Sequence, residues 1–268
     1  FLAYGGQQNR LLRNDGSGGF TDVTATALPT VAEFSFDLAI ADVDDDGAPD
    51  LLLVSSPNPF TTPTAVRLWH NDGAGRFADE TAPRLPATAT ATVRLAVGDL
   101  DADGDLDVFA GNADADDILW NDGAGVFARA VPSPLPIDHA PPTAVLCADL
   151  DRDGRPEVLV CDGDGARLVR RAADGSFAVV GTAPPMLAGA RWLRAFDADG
   201  DDDLDVLAID RWRFAAVYAN VAAHCALPWL ALAGRAWIAE FACRPGDAVP
   251  GCVAIPLVGA ALAPVPID

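Results

Sequence analysis

Basic residues are scarce in this sequence, and lysine is absent. The 268 residues include 18 arginines against 39 Asp and Glu, which gives a formal net charge of −21 at pH 7. Nucleic acids and anionic membranes are bound largely through Lys and Arg. The acidic balance therefore argues against nucleic acid and anionic membrane as partners.

Candidate catalytic side chains and long apolar runs are also few. The three histidines, His70, His139 and His224, have no ligand spacing to one another or to cysteine, and we interpret them as surface or packing residues. The longest apolar stretch, 253–267, contains three prolines and falls short of the roughly 20 residues that a membrane span needs. The sequence predicts no membrane-spanning segment, and it shows no catalytic constellation.

Acidic residues are abundant, and they are concentrated. Four segments hold 20 of the 39 acidic residues, and these segments begin 57, 50 and 48 residues apart. A solvated acidic surface would spread its charge more evenly. Each segment opens a stretch that continues into an apolar run: DVDDDGAPDLLLV (42–54), DLDADGDLDVFA (99–110), DLDRDGRPEVLV (149–160) and DADGDDDLDVLA (197–208).

A second motif alternates with the first and ends in phenylalanine. Phe20, Phe77, Phe127 and Phe177 are spaced 57, 50 and 50 residues apart. Two motifs that stay in phase indicate a repeat of about fifty residues. The copies are LLRNDGSGGF (11–20), LWHNDGAGRF (68–77), LWNDGAGVF (119–127) and a degenerate LVRRAADGSF (168–177).

The repeat predicts strands rather than helices. Apolar residues alternate before each acidic segment, as in Phe34, Phe36 and Leu38, and a continuous apolar run follows it, as in 51–54. The NDGxG segments are typical of tight turns, and no convincing helical stretch precedes about residue 222. Four short strands per repeat favour an all-β β-propeller; a stacked β-solenoid is the alternative, although its repeats are usually shorter. Residues 1–220 carry the repeats, and residues 221–268 form a degenerate last blade or a separate C-terminal segment.

The acidic segments read D-x-D-x-D-G-x-x-D, and we number their positions 1 to 9. Carboxylates this close repel one another unless a cation lies between them, and Ca²⁺ takes six to eight oxygen ligands. An EF-hand is excluded, because its position 12 needs Glu and Leu53, Ala110 and Val160 stand there. We therefore predict about four Ca²⁺ sites, with these ligands at positions 1, 3, 5 and 9: Asp42, Asp44, Asp46, Asp50; Asp99, Asp101, Asp103, Asp107; Asp149, Asp151, Asp153, Glu157; Asp197, Asp199, Asp201, Asp205.

The fourth segment allows two alignments. Without a gap, Asp202 replaces the turn glycine at position 6; with a two-residue insertion, Gly200 keeps that role. We favour the gapless alignment, because 204–206 then matches 106–108. The second loop is expected to bind most tightly, with the first close behind. The third should be similar to the first or slightly weaker, and the fourth weakest.

These two motifs together resemble the FG-GAP/VCBS repeat family, which includes the calcium-loop blades of the integrin α-chain propeller. The resemblance covers about residues 1–220. It implies a propeller, usually of about seven blades, with Ca²⁺ held in hairpin loops between strands of a blade. The departures are Glu157 at position 9, the fourth loop, and everything after Asn220.

The expected function is an extracellular or cell-surface scaffold or adhesion module with structural Ca²⁺, the periplasm being an alternative location. Its ligand would be a protein or a glycan. Two other classes remain open. One is a carbohydrate-active enzyme such as a polysaccharide lyase, and the other is a lectin that reads sugars through Trp69 and Trp120.

Two further expectations concern the ends of the chain and its thiols. Aligning Asn14 with Asn121 places Phe1 opposite Val108, just after a position-9 Asp, and no signal peptide is present. The chain is therefore expected to be a fragment of a larger propeller. Cys147 and Cys161 flank the third loop on adjacent strands and are expected to form a disulfide.

Overall fold

The computed structural model describes residues 6–60, 62–87, 91–136, 140–183, 187, 189–198, 202–210 and 215–218. The C-terminal segment 221–268 lies outside the described residues, as do His139, His224, Asp199 and Asp201. The elements in chain order are β1 Gln7–Gln8, β2 Leu12–Asn14, β3 Phe20–Asp22, α1 Thr24–Ala27, β4 Ala32–Ala41, β5 Asp50–Ser56, β6 Ala65–Asn71, β7 Phe77–Asp79, α2 Thr81–Arg84, β8 Thr92–Gly98, β9 Asp107–Asn112, β10 Asp117–Asn121, β11 Phe127–Arg129, β12 Ala144–Ala148, β13 Glu157–Cys161, β14 Ala166–Arg171, β15 Phe177–Ala183, β16 Ala190–Phe196, β17 Asp205–Asp210 and β18 Ala215–Tyr218.

The described residues form an all-β fold of antiparallel sheets. The first sheet has the order β1-β4-β5-β6-β7, the second is β8 to β11, the third is β12 to β15, and the fourth is β16 to β18. A separate pair, β2 and β3, precedes them. The second and third sheets have the four strands that the repeat predicts. The two helices were not predicted, because a single turn of four residues is too short to show helical periodicity.

The sheets pack face to face in chain order, in a propeller-like arrangement. Counting the first sheet from β4, the first strands of successive sheets are neighbours: β4 contacts β8, β8 contacts β12, and β12 contacts β16. The strands β5, β9 and β13 are buried on both faces, which explains their continuous apolar runs. On β9, for example, Val108 packs against the first sheet and Phe109 against the third.

The two cysteines do not form the expected disulfide. Cys147 pairs with Val158, and Cys161 pairs with Ala144, three residues further along the hairpin. Because side chains on a strand alternate between faces, the two thiols point to opposite sides of the third sheet. Cys147 packs between the second and third sheets, Cys161 packs between the third and fourth, and both are free. The prediction was wrong because the spacing of two cysteines around a hairpin does not fix their register.

The sheets also fix where the acidic and glycine-rich segments lie. Each acidic loop joins the first strand of a sheet to the second, and its position 9 is the first residue of the second strand. The NDGxG turns join the third and fourth strands, with glycines at positive φ as predicted: Gly73, Gly75, Gly123 and Gly125.

Trp69 is buried in the core below the first loop, with 2 % of its surface exposed, so it offers no platform for a sugar.

Candidate metal centre

The four acidic loops share one hydrogen-bond pattern. The position-1 carboxylate accepts the backbone N–H of position 6, as from Gly47 to Asp42 (2.8 Å), Gly104 to Asp99 (3.1 Å), Gly154 to Asp149 (3.0 Å) and Asp202 to Asp197 (3.2 Å). The position-9 carboxylate accepts the N–H of position 2, as from Val43 to Asp50 (3.4 Å), Leu100 to Asp107 (3.0 Å), Leu150 to Glu157 (2.9 Å) and Ala198 to Asp205 (2.8 Å). Carboxylates at both ends therefore tie each loop into one compact turn.

The fourth loop adopts the gapless alignment. Asp202 has a positive φ of +70°, the glycine at position 6 of the other three loops also has positive φ, and β17 begins at Asp205. Position 4 also has positive φ in the first three loops, where it is Asp45, Ala102 or Arg152. Gly200 occupies position 4 in the fourth sequence. Asp202 is thus a non-glycine residue in the left-handed region, at a position where the other three loops have glycine, and this conformation is strained.

The positive φ of Asp202 leads to a direct prediction for the fourth loop. Asp202→Gly should raise the free energy of unfolding by about 1 kcal/mol, because a non-glycine residue in the left-handed region costs about 1–2 kcal/mol. It should also raise Ca²⁺ affinity. Urea unfolding and titration calorimetry of the variant check both effects. A weaker Ca²⁺ affinity in the variant would contradict this account of position 6.

The loops bring most of the predicted ligands together in groups of three. Every group offers oxygen or nitrogen atoms that lie within 4.8 Å of one another. Asp103 and Asp153, at position 5, are not members of these groups. The groups are Asp42, Asp44 and Asp46; Asp44, Asp50 and His70; Asp99, Asp101 and Asp107; and Asp149, Asp151 and Glu157.

Burial makes these carboxylates costly without a cation. Burial, together with repulsion from Asp101 and Asp103, raises the pKa of Asp107 to about 7, although N–H groups of Asn121 and Leu100 lower it. Burial likewise raises the pKa of Glu157 to about 7. Buried oxygens without a hydrogen bond remain in the first and third loops: Asp44 Oδ1, Asp149 Oδ1 and Glu157 Oε1. Buried carboxylate oxygens of this kind need a positive charge beside them, and a hard divalent cation with oxygen ligands would supply one.

These pKa shifts predict how stability depends on pH when no metal is present. The folded state binds a proton at Asp107 more tightly than the unfolded chain does, so metal-free protein should be most stable at acidic pH. It should lose stability as pH rises from about 4 to about 7. The loss due to Asp107 should be on the order of 2–4 kcal/mol, since a tenfold change in proton affinity corresponds to about 1.4 kcal/mol. Urea unfolding in EDTA at pH 5 and pH 8, for the wild type and Asp107→Asn, measures it. Equal pH dependence in the two proteins would contradict the prediction.

Side chains from the third strands of the first and third sheets, His70 and Arg170, reach into the acidic loops, and the sequence analysis missed them. His70 Nδ1 lies 3.1 Å from Asp50 Oδ1 and 3.5 Å from Asp44 Oδ2, so the interpretation of His70 as a packing or surface residue was incomplete. The strand pairing places His70, Trp120 and Arg170 at one repeat position. Their spacing of fifty residues was the signal that could have identified them.

Each of the first two loops is also bound by the sheet that follows it. The Asn121 side-chain amide donates to the Val43 carbonyl (2.7 Å), and Arg171 donates to the Asp101 carbonyl (2.5 Å). In addition, Arg84 of α2 pairs with Asp44 (2.8 Å). Order in one loop therefore supports the packing between two sheets.

Comparison with known proteins identifies the repeat. A family model described as "FG-GAP-like repeat" matches four overlapping segments, 1–53, 43–110, 99–160 and 149–208. The chain belongs to this family. Consecutive matches overlap within the first, second and third acidic segments and the strands that follow them. A comparison with curated protein sequences finds no match.

Solved structures with a similar fold include three binding or matrix proteins. A lectin of Agrocybe aegerita that recognises non-reducing terminal N-acetylglucosamine shares 18 % identity with a TM-score of 0.50, covering 80 % of this chain and 57 % of the lectin. An auxiliary nutrient binding protein of Bacteroides ovatus shares 11 % identity with a TM-score of 0.49, and the match covers 82 % of this chain and 54 % of that protein. The V. cholerae biofilm matrix protein Bap1 shares 16 % identity with a TM-score of 0.41, and the match covers 70 % of this chain and 31 % of Bap1. The chain thus spans about a third to three fifths of these structures. In the part of the chain that the structure describes, no helix exceeds four residues, so none could cross a bilayer.

Proposed function

We propose that this chain is part of a calcium-binding β-propeller that acts as a scaffold or adhesion module outside the cytoplasm. The observation that carries the proposal is the recurrence of one acidic turn, with the same carboxylate hydrogen bonds, between the first two strands of all four sheets. In the second loop, Asp99, Asp101, Asp103 and Asp107 would hold the ion together with the backbone carbonyl at position 7. The first loop would use its corresponding residues.

The role of the ion would be structural. Bound Ca²⁺ would neutralise carboxylates that otherwise repel, and its binding free energy would add to folding. Because Asn121 and Arg171 join these loops to the following sheets, the stabilisation would extend beyond one hairpin. Extracellular modules bind Ca²⁺ with dissociation constants of about 0.1–1 mM, which suits a surface, secreted or periplasmic location. We also propose a ring of about seven blades, in keeping with the family resemblance.

Metal counting tests this function. Protein equilibrated in 5 mM CaCl₂ and passed through gel filtration in 1 mM CaCl₂ should retain Ca²⁺ in excess of the buffer. Asp101→Ala should retain about one ion fewer. A wild-type protein that retains none would overturn the proposal.

A second candidate function, glycan binding without catalysis, is favoured by a groove between the first two sheets. The groove lies away from the acidic loops, where strands β5 and β6 are joined, and its volume is about 520 Å³. Phe36 and Phe60 line it and are 45 % and 89 % exposed, and aromatic faces of this kind can stack on sugar rings. Thr62 and Thr64 supply hydroxyls, and Arg94 is the single titratable side chain among the described lining residues. A glycan array with the wild type and Phe60→Ala tests it; binding that Phe60→Ala abolishes would favour a lectin, and an empty array would favour a scaffold.

A further inference from the structure

The third acidic loop differs from the others in the side chain that fills it. The guanidinium of Arg170 lies 2.7 Å from Asp151 Oδ2 through Nη1 and 3.6 Å from Glu157 Oε1 through Nε, and Nη2 contacts Asp153 Oδ2. Three of the four predicted ligands, at positions 3, 5 and 9, therefore face one arginine. Two of them, Asp151 and Glu157, belong to the compact group of three.

The first and second loops lack this arrangement. In the second loop, Trp120 occupies the position of Arg170, and among the described residues no salt bridge reaches its carboxylates. In the first loop, Arg84 pairs with Asp44 alone of the four predicted ligands, and the imidazole of His70 lies beside Asp44 and Asp50. Of the first three loops, the third is thus the one in which a permanent positive charge spans most of the ligand set.

We propose that Arg170 takes the place of the calcium ion in the third loop, so that this loop binds no Ca²⁺ in the wild-type protein. An arginine stays protonated at all relevant pH values, and its fork of N–H donors can satisfy several carboxylates at once. Buried Glu157 needs such a partner, because its Oε1 has no hydrogen bond. Arg152 and Arg155 add two further positive charges to the loop and disfavour a second cation.

This inference corrects the expected order of the four sites. The sequence analysis placed the third loop near the first in affinity, because it considered the loop alone. The carboxylates of the third loop are already paired with Arg170, which lies on the neighbouring strand β14. The third hairpin should accordingly keep its structure in EDTA, when the loops that depend on metal lose theirs.

Calcium counting by equilibrium dialysis at 1 mM free Ca²⁺ tests the inference, which rests on the proposed calcium role of this repeat. Arg170→Gln should bind one more ion per chain than the wild type, and its added site should be at least tenfold tighter than any residual binding there. Arg155→Gln, which removes the same charge from an exposed residue of the same loop, should bind the wild-type number. Asp151→Asn should leave the wild-type count unchanged and should abolish the ion gained by Arg170→Gln.

Two results would overturn the inference. Loss of one ion in Asp151→Asn would show that the loop already binds calcium beside Arg170, and this variant is decisive even if Arg170→Gln does not fold. An unchanged count in folded Arg170→Gln would show that Arg170 is not what excludes the ion. Calcium counting of Asp101→Asn, a substitution in the second loop, tests the proposed function separately. A wild type that binds no ion, with one bound by Arg170→Gln, would refute the function and support the inference.

Discussion

Adding 10 mM Ca²⁺ to metal-free protein is expected to raise its melting temperature by about 10 °C or more, whereas 10 mM Mg²⁺ should raise it by only a few degrees. A site with a dissociation constant near 0.1 mM contributes about 2.7 kcal/mol at a hundredfold excess of free ligand. The first two loops together would add roughly 5 kcal/mol. A domain of this size gains about 2–4 °C for each kcal/mol.

The two ions differ because their coordination differs. Mg²⁺ requires octahedral geometry at about 2.0–2.1 Å and gives up its waters reluctantly, whereas Ca²⁺ accepts six to eight oxygens at about 2.3–2.6 Å. The D-x-D-x-D-G-x-x-D loop would supply oxygens from four carboxylates and one backbone carbonyl, which suits the larger ion. Calorimetric melts in EDTA, Ca²⁺ and Mg²⁺ at matched ionic strength make the comparison. An equal rise with both ions would point to charge screening rather than to built sites.

Asp101→Ala should remove the calcium-dependent stability of the second loop. Its carboxylate belongs to the group with Asp99 and Asp107, so we expect Ca²⁺ affinity at this site to fall at least tenfold. The free energy of unfolding in 10 mM Ca²⁺ should fall by about 2–3 kcal/mol, the contribution of one occupied site. In EDTA the change should be small. Burial and the charge of Asp103 raise the pKa of Asp101, so removing the carboxylate relieves repulsion there.

Asp105→Ala is the matched control for this substitution. Asp105 lies at position 7 of the same loop, where the ion would meet a backbone carbonyl rather than the side chain. Both variants remove one negative charge from the loop. Calorimetric titration should therefore give Asp105→Ala an affinity within about threefold of the wild type, that is, within less than 1 kcal/mol. Equal losses in the two variants would mean that net charge, and not ligand geometry, governs binding.

Local pattern was enough to predict the repeat and the turn geometry of the loops. The alternation of Phe34, Phe36 and Leu38, followed by a continuous apolar run, gave the first two strands of a sheet and the loop between them. The match of 204–206 with 106–108 gave the alignment of the fourth loop, and Asp202 at positive φ follows from it. These features depend on residues close together in sequence, where steric rules are strong.

Contacts between distant residues could not be predicted in the same way. The disulfide prediction was wrong because the register of a hairpin, and not the spacing of two residues around it, decides which residues face each other. Cys147 is paired with Val158 and not with Cys161. Arg170 is 17 residues from Asp153, and only the pairing of β13 with β14 brings it to the third loop. Asn121 reaches Val43 across two sheets. Each of these contacts depends on how strands pair or sheets stack.

Crystals grown in CaCl₂, with diffraction data collected at a wavelength where calcium scatters anomalously, test the central claim most directly. The account predicts anomalous peaks among Asp42, Asp44, Asp46 and Asp50 and among Asp99, Asp101, Asp103 and Asp107, each with six to eight oxygens at about 2.3–2.6 Å. It predicts no peak in the third loop, where the Arg170 guanidinium should remain against Asp151. Absence of anomalous density in both the first and second loops would contradict the claim that these acidic turns are built to hold calcium.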